Sequence, residues 1–233
     1  MDRKKIVVLT GAGVSAESGL STFRDAGGLW EGHDVHDVAS PQGFENDPEL
    51  VLRFYNQRRR QLENVEPNEA HFAIASLEKK YDVTIVTQNV DNLHERAGST
   101  NIIHLHGELT QAKSVLPPYN VYEIGYKDIE LGDACEKGGQ LRPNIVWFGE
   151  AVPLMTEAAT VAASADIFIV VGTSLVVYPA ASLIDYVSAQ TRKYIIDPNK
   201  PAVNDYHKNI EFITEKATLG MTHLAEKLLN EIK

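Results

Sequence analysis

The sequence is short of cysteine, of positive charge and of long apolar runs, and each shortage excludes something. One cysteine, Cys135, stands among 233 residues, which excludes an intramolecular disulfide, a Cys-x-x-Cys redox pair and a Cys₄ metal site. Lysine and arginine number 22 against 32 aspartate and glutamate, a formal charge of −10. Non-specific nucleic-acid affinity comes from neutralising phosphates, so no nucleic-acid partner is expected. No apolar run approaches the ~18 residues of a bilayer span, and the residues after Met1 lead into a strand-like stretch instead of a signal peptide. The expectation is a cytoplasmic monomer with no membrane partner, working without thiol chemistry.

What is present is ordinary globular material, 43% hydrophobic and 23% charged, with length for one or two domains. Short apolar runs rich in β-branched residues occupy 6–9, 83–86, 102–105, 145–148, 167–171 and 194–196. They do not alternate with polar residues, which is how strands covered on both faces of a parallel sheet read. Helical patterns lie between them. Asn68 is placed to cap a helix through Phe72, Ile74, Ala75 and Leu77, and residues 179–190 suit a helix with Pro179 in its first turn. Met221, Leu224, Ala225, Leu228 and Ile232 form one apolar stripe near the end. The alternation predicts an α/β fold, a Rossmann-like doubly wound parallel sheet.

Two segments break the alternation. Residues 31–66 hold a helix from Pro48 to about Glu63 and no convincing strand, and residues 110–142 read as irregular. The expected division is a nucleotide-binding domain from 1–30, 67–109 and 143–233, with a smaller module from 31–66 and 110–142.

Gly11-Ala12-Gly13-Val14-Ser15-Ala16 follows the first run directly. It matches the strand-to-helix turn that brings backbone N–H groups to a pyrophosphate. A dehydrogenase would carry a ribose-binding acid about 20 residues on, at the end of a second strand. That region here is a loop, Thr22 to Trp30, and the nearest acid at a strand end is Asp197. The loop fits a dinucleotide, but the organisation does not fit hydride transfer.

The chain resembles the sirtuins, the NAD-dependent protein lysine deacylases. The match runs in order through Gly11 to Gly19, Thr22-Phe23-Arg24, Thr87-Gln88-Asn89-Val90-Asp91-Asn92-Leu93-His94, His104-Leu105-His106-Gly107, Val146-Trp147-Phe148-Gly149-Glu150, Gly172-Thr173-Ser174 and Tyr178-Pro179. The resemblance implies NAD as cofactor and acyl-lysine proteins or peptides as substrates. It also implies that the acyl group passes to ADP-ribose as nicotinamide leaves. His106 is then the catalytic general base, a task suited to a near-neutral imidazole, and Asn89 acts beside it. Cofactor binding falls to Gly11, Ala12, Gly13, Glu17, Thr22, Phe23, Arg24 and Trp30 in the opening loops. Gln88, Asn89 and Asp91 serve the nicotinamide ribose, and Gly172, Thr173 and Ser174 the phosphate and ribose. Asp197 and Asn199 serve the adenosine ribose, though the family more usually has Asn where Asp197 stands, and Ala217 lies by the adenine. Val146, Phe148 and Gly149 resemble the stretch that pairs with substrate as an added strand.

Tyr55 and Arg58 lie three apart and share a helix face. Alone they read as part of a solvated basic run, Arg58-Arg59-Arg60. Within the resemblance, Tyr-x-x-Arg is the mark of class III sirtuins, including bacterial CobB-type enzymes, which also remove succinyl and malonyl groups; a guanidinium fork suits a carboxylate. Most sirtuins hold the small module with a Cys₄ zinc site. Here Ser114 stands about where the first cysteine pair would begin, and Cys135 is alone. No metal is expected, and apolar packing and proline stiffening from Val115 to Leu131 are expected in its place. Two other readings remain open: an NAD-dependent mono-ADP-ribosyltransferase, and an NAD-sensing module without turnover.

Overall fold

The computed structural model describes residues 3–20, 29–30 and 32–231. In chain order the first half contains β1 (Lys5–Thr10), α1 (Ala12–Ala16), β2 (Leu29–Trp30), β3 (His33–Asp34), α2 (Val35–Val38), α3 (Pro41–Asn46), α4 (Pro48–Glu63), α5 (Glu69–Ser76), β4 (Asp82–Thr87), α6 (Leu93–Arg96) and β5 (Ile102–His104). The second half contains β6 (Gly107–Ser114), β7 (Val121–Glu123), β8 (Leu141–Ile145), α7 (Met155–Ala163), β9 (Ile167–Val171), β10 (Arg192–Ile196), β11 (Ile210–Ile213) and α8 (Ala217–Glu231).

Six strands form one parallel sheet in the order β11-β10-β9-β1-β4-β5. Successive side chains of a strand point to opposite faces. Ile6 and Val8 therefore pack with α5 and α8 on one side, and Val7 and Leu9 with α7 on the other. The chain runs outward from β1 through β4 to β5, then returns to β9 and runs out the other way. The order reverses between β1 and β9, so the crevice at their carboxyl ends is where such a sheet binds ligands. α5 begins as its sequence dictates: the Asn68 side chain accepts from Ala70 N, and Asn68 N donates to His71 Nδ1 in a capping box.

Several sequence expectations are corrected. Residues 110–142 are not irregular, because β6, β7 and β8 form a separate three-stranded antiparallel sheet. Its longest strand, GELTQAKS, has no apolar run to announce it. The run at 145–148 is not a strand of the main sheet. β8 ends at Ile145, and the segment beyond it, which turns at Phe148 and Gly149, is held by Val146 N to His106 O and Phe148 N to Ala39 O. Residues Ala180–Tyr186 form a 3₁₀ helix instead of an α-helix. The edge strand β11, IEFI, is not among the expected runs, being four residues long and interrupted by Glu211.

The helix at Pro48–Glu63 appears where expected, with Asp47 accepting from Leu50 N at its start. The basic-run reading of its face fails, because Arg58 and Arg59 are both buried. Arg59 donates to Leu109 O and Asn56 Oδ1, at 2.6 and 2.7 Å. The expected packing of the 115–131 segment is met only in part. Ile129 is buried against Leu52 and Ala112, whereas Val115, Leu116, Tyr119, Val121 and Leu131 are exposed. Ser114 Oγ donates to Cys135 Sγ at 3.2 Å, closing the end of the small sheet.

Candidate active site

Thr10, the last residue of β1, is followed by Gly11 and the short α1. Gly11 N donates to Val171 O and Gly13 N to Gly172 O. A Cβ at Gly13 would sit 2.8 Å from Gly172 Cα, and one at Gly11 would sit 2.6 Å from Thr173 Cβ. The glycines of the opening motif are therefore required first by the close approach of two loops, β1–α1 and the one after β9. Gly107 is required in the same way: its φ is +79°, and a Cβ there would collide with Asn144 O.

A cavity of about 300 Å³ opens at this junction and runs toward α4. Its sheet end is lined by Gly11, Ala12, Ser15, Gln88, Asn89, Asp91, His106, Gly172, Thr173 and Ser174. Under it lies a buried polar network. Ser15 Oγ donates to Asp91 Oδ2 at 2.9 Å and accepts from Asn89 Nδ2 at 3.0 Å. Asp91 Oδ1 accepts from Leu93 N. Thr87 Oγ1 accepts from Thr10 Oγ1 and from Asn89 N, at 2.8 and 3.0 Å. Since Thr10 spends its proton on Thr87, it accepts from His94 Nε2 at 3.1 Å. His71, whose Nδ1 accepts from Asn68 N, turns Nε2 toward Ser15 Oγ at 3.5 Å. Burial pulls His71 down to about 4 and His94 well below the usual imidazole value, so both rings are neutral. Burial also raises Asp91, against the hydrogen bonds from Ser15 and Leu93 N.

His106 follows β5 and lines the same cavity. Its Nδ1 lies 3.0 Å from Gln88 O. A carbonyl can only accept, so Nδ1 carries the hydrogen and Nε2 is left to take a proton. Burial lowers its pKa, opposed by the Gln88 carbonyl. At neutral pH the ring is in its basic form.

The helix end of the cavity is built differently. Tyr55 is fully buried, its hydroxyl accepts from Trp147 Nε1 at 3.1 Å, and burial raises the phenol above its ordinary value. The Arg58 guanidinium lies over the Trp30 ring, 4.4 Å from its centroid. Arg142 lies 3.7 Å over the Trp147 ring and pairs with both oxygens of Glu150 at 2.6 and 2.9 Å. Val146, Phe148 and Gly149 line the cavity as well, as do the strongly exposed Val176 and Tyr178.

Most of the anticipated residues thus meet in one cavity, including Trp30, Tyr55 and Arg58 from distant segments. Gly13, Glu17, Asp197, Asn199 and Ala217 do not line it. Glu17 accepts from Thr218 N and Oγ1 at the start of α8, where Ala217 is the first residue. Asp197 is buried beyond β10 and accepts from Asn199 N. Thr22, Phe23 and Arg24 lie outside the described residues. Sequence reasoning assigned no role to His71, Thr10 or Arg142. A histidine three residues after a capping Asn was the available signal for His71.

A parallel sheet with a glycine loop, a buried Asn–Ser–Asp cluster and a carbonyl-oriented histidine at its switch point defines a nucleotide-dependent enzyme site. The Sir2 family model matches residues 11–179, and this chain belongs to that family. It is similar to the NAD-dependent protein deacylase of Helicobacter pylori (strain J99 / ATCC 700824), 54% identical over 97% of this chain and 96% of the relative. The NAD-dependent protein deacylase of Bacteroides thetaiotaomicron is 52% identical over 97% and 98%. Among solved structures, a Sir2 homolog–NAD complex superposes with a TM-score of 0.88 at 39% identity, covering 99% of this chain and 91% of the other.

Proposed function

We propose that this Sir2-family chain is an NAD-dependent protein lysine deacylase that removes acetyl groups and also succinyl and malonyl groups, releasing nicotinamide and O-acyl-ADP-ribose. The observation that carries the reading is a single cavity with the Asn89–Ser15–Asp91 cluster and His106 at one end and Tyr55 and Arg58 at the other. The chain's own residues suit NAD. Gly11 and Ala12 line the cavity where the two loops meet, and the polar residues Gln88, Asn89, Asp91, Thr173 and Ser174 line it beside them. When bound, NAD supplies a ribose carbon open to attack by the amide oxygen as nicotinamide departs.

The roles then follow from chemistry. Asn89 and Asp91 orient the nicotinamide end, with Ser15 fixing both. His106 Nε2 takes a proton from a ribose hydroxyl, while the Gln88 carbonyl holds the ring. Gln88, Gly172, Thr173 and Ser174 bind ribose and phosphate. Gly11, Ala12, Gly13, Glu17 and Trp30 belong to the same cofactor region; Asp197, Asn199 and Ala217 serve the adenosine end. Thr22, Phe23 and Arg24 complete the set on sequence resemblance. Backbone at Val146, Phe148 and Gly149 receives the peptide as an added strand. Arg58, steadied by Trp30, binds a distal carboxylate, and the Tyr55 hydroxyl adds a neutral donor.

Also within this proposal, the small module of residues 31–66 and 110–142 works without structural zinc beside the nucleotide-binding remainder, and the enzyme is a cytoplasmic monomer. The acidic charge and the solitary Cys135 support that picture, and no described helix is long and apolar enough to cross a membrane. Incubation with NAD and acetyl-, succinyl- and malonyl-lysine peptides, read by mass spectrometry, tests it. Nicotinamide and O-acyl-ADP-ribose are expected. ADP-ribose attached to protein would favour the transferase reading, and no nicotinamide at all would favour a sensor.

A further inference from the structure

β5 and the turn after it carry histidines at alternate positions, 104 and 106, and both rings reach the loop that bears Asn89 and Asp91. His106 Nδ1 meets Gln88 O at 3.0 Å, and His104 Nδ1 meets the next carbonyl, Asn89 O, at 3.4 Å. The two rings differ at Nε2. His106 borders the cavity, whereas His104 Nε2 lies 2.7 Å from Glu95 Oε1 and 4.0 Å from Glu108 Oε2. With a carbonyl at one nitrogen and a carboxylate at the other, both nitrogens of His104 face acceptors, and only the imidazolium donates to both.

The charged and titratable groups facing this ring come from each neighbouring element: Glu95 and His94 from α6, Glu108 from β6 and Asp91 from the loop. Burial works against the imidazolium, its side chain being 9% exposed, but Glu95, Glu108 and the Asn89 carbonyl outweigh burial and raise its pKa. His104 in turn favours the ionised form of the buried Asp91.

We propose that His104 is a positioning residue: clamped as a cation between Glu95 and Glu108, it holds the Asn89 carbonyl and faces Asp91 with positive charge, keeping the cofactor loop in its binding conformation. This rests on the NAD-dependent reading of the site. It links three separate elements, α6, β5 and β6, to the one loop that supplies Asn89 and Asp91. It also ties cofactor affinity to a proton that is lost on the alkaline side, opposite in sense to His106, whose protonation disables it on the acid side.

The test needs no turnover. NMR of the imidazole groups follows the His104 titration, and calorimetry measures NAD affinity at pH 6.5 and 9. In the wild type His104 should titrate above 6.5, and NAD affinity should fall about three- to tenfold from the lower to the higher pH. In Glu95→Gln the midpoint should move down. His104→Gln should weaken NAD binding at pH 6.5 and leave it flat with pH. A His104 midpoint below 6.5, or NAD affinity equally pH-dependent with and without the imidazole, overturns the proposal. Should His104→Gln not fold, Glu95→Gln with the same two readouts decides. A wild type that binds NAD but does not deacylate would count against the deacylase reading and leave this one standing.

Discussion

At the sheet end of the cavity, buried polar groups satisfy one another: Thr10, Ser15, Thr87, Asn89 and Asp91 form one hydrogen-bonded set with His71 and His94 at its edge. At the helix end, buried cations lie on aromatic faces, Arg58 on Trp30 and Arg142 on Trp147. The first arrangement gathers side chains from the ends of β1 and β4, from the loop after β4, and from α1, α5 and α6. The second is fixed by side-chain packing around α4 and the segment after β8. Hydrogen-bonded groups on strand ends hold a fixed geometry, which suits a cofactor bound the same way in every turnover. A guanidinium on a ring keeps its charge in a buried place, which a site for an acidic acyl group, as proposed, would need.

The comparison breaks most visibly at His106. His106→Ala should cost roughly 10²–10⁴ in turnover, the usual share of a general base, with NAD affinity largely kept. Its lowered pKa places the acid limb of the wild-type rate profile below 6.5; wild-type-like turnover in the variant would contradict the assignment.

The buried histidines make the sheet end sensitive to acid. The folded state holds His71 near 4 against 6.5 for an unhindered ring, so between those values the unfolded chain binds more protons. Stability should therefore fall as pH drops from 7 to 4, by about 3 kcal/mol from this group. Denaturant unfolding across that range checks it, and His71→Gln should flatten part of the slope.

At the helix end, Tyr55→Phe removes the acceptor for Trp147 Nε1. It should cost about 1–3 kcal/mol of stability, with no change in the acid dependence assigned to His71. A loss in acid dependence instead would mean that the two ends are one network. The smallest effect expected is none: excess chelator should leave melting temperature and activity unchanged, because a structural zinc site would couple metal to folding. One tightly held zinc per chain by elemental analysis would overturn the zinc-free module.

Legibility in the sequence followed physical type. Continuous β-branched runs marked β1, β4, β9 and β10, because strands buried on both faces must be apolar throughout. β6 stayed hidden because GELTQAKS offers only Leu109 and Ala112 as apolar side chains, too few and wrongly spaced for an alternating pattern. β11, an edge strand, is only four residues long and is interrupted by Glu211. The residues of the cavity were reached through ordered motifs, and Tyr55 with Arg58 through the family resemblance, since their helix spacing alone read as a solvated basic face. What those motifs left unspoken is what holds them. Nothing local in Thr10, His71 or His94 says that they lie together under Asn89, since their proximity is created by the sheet order. Nor does the Arg58-Arg59-Arg60 run reveal that two of its three members are buried while Arg60 reaches outward to Asp128.

If the cavity joins a hydrogen-bonded cofactor end to a cation-bearing acyl end, acyl selectivity in a single variant should show it. Arg58→Met keeps the aliphatic stem against Trp30 and removes the fork. The ratio of kcat/KM for succinyl-lysine to that for acetyl-lysine should fall about tenfold or more, because only the succinyl group loses a charge-assisted pair. Equal losses on both substrates, with the ratio unchanged, would show that Arg58 supports the fold alone and would contradict the account.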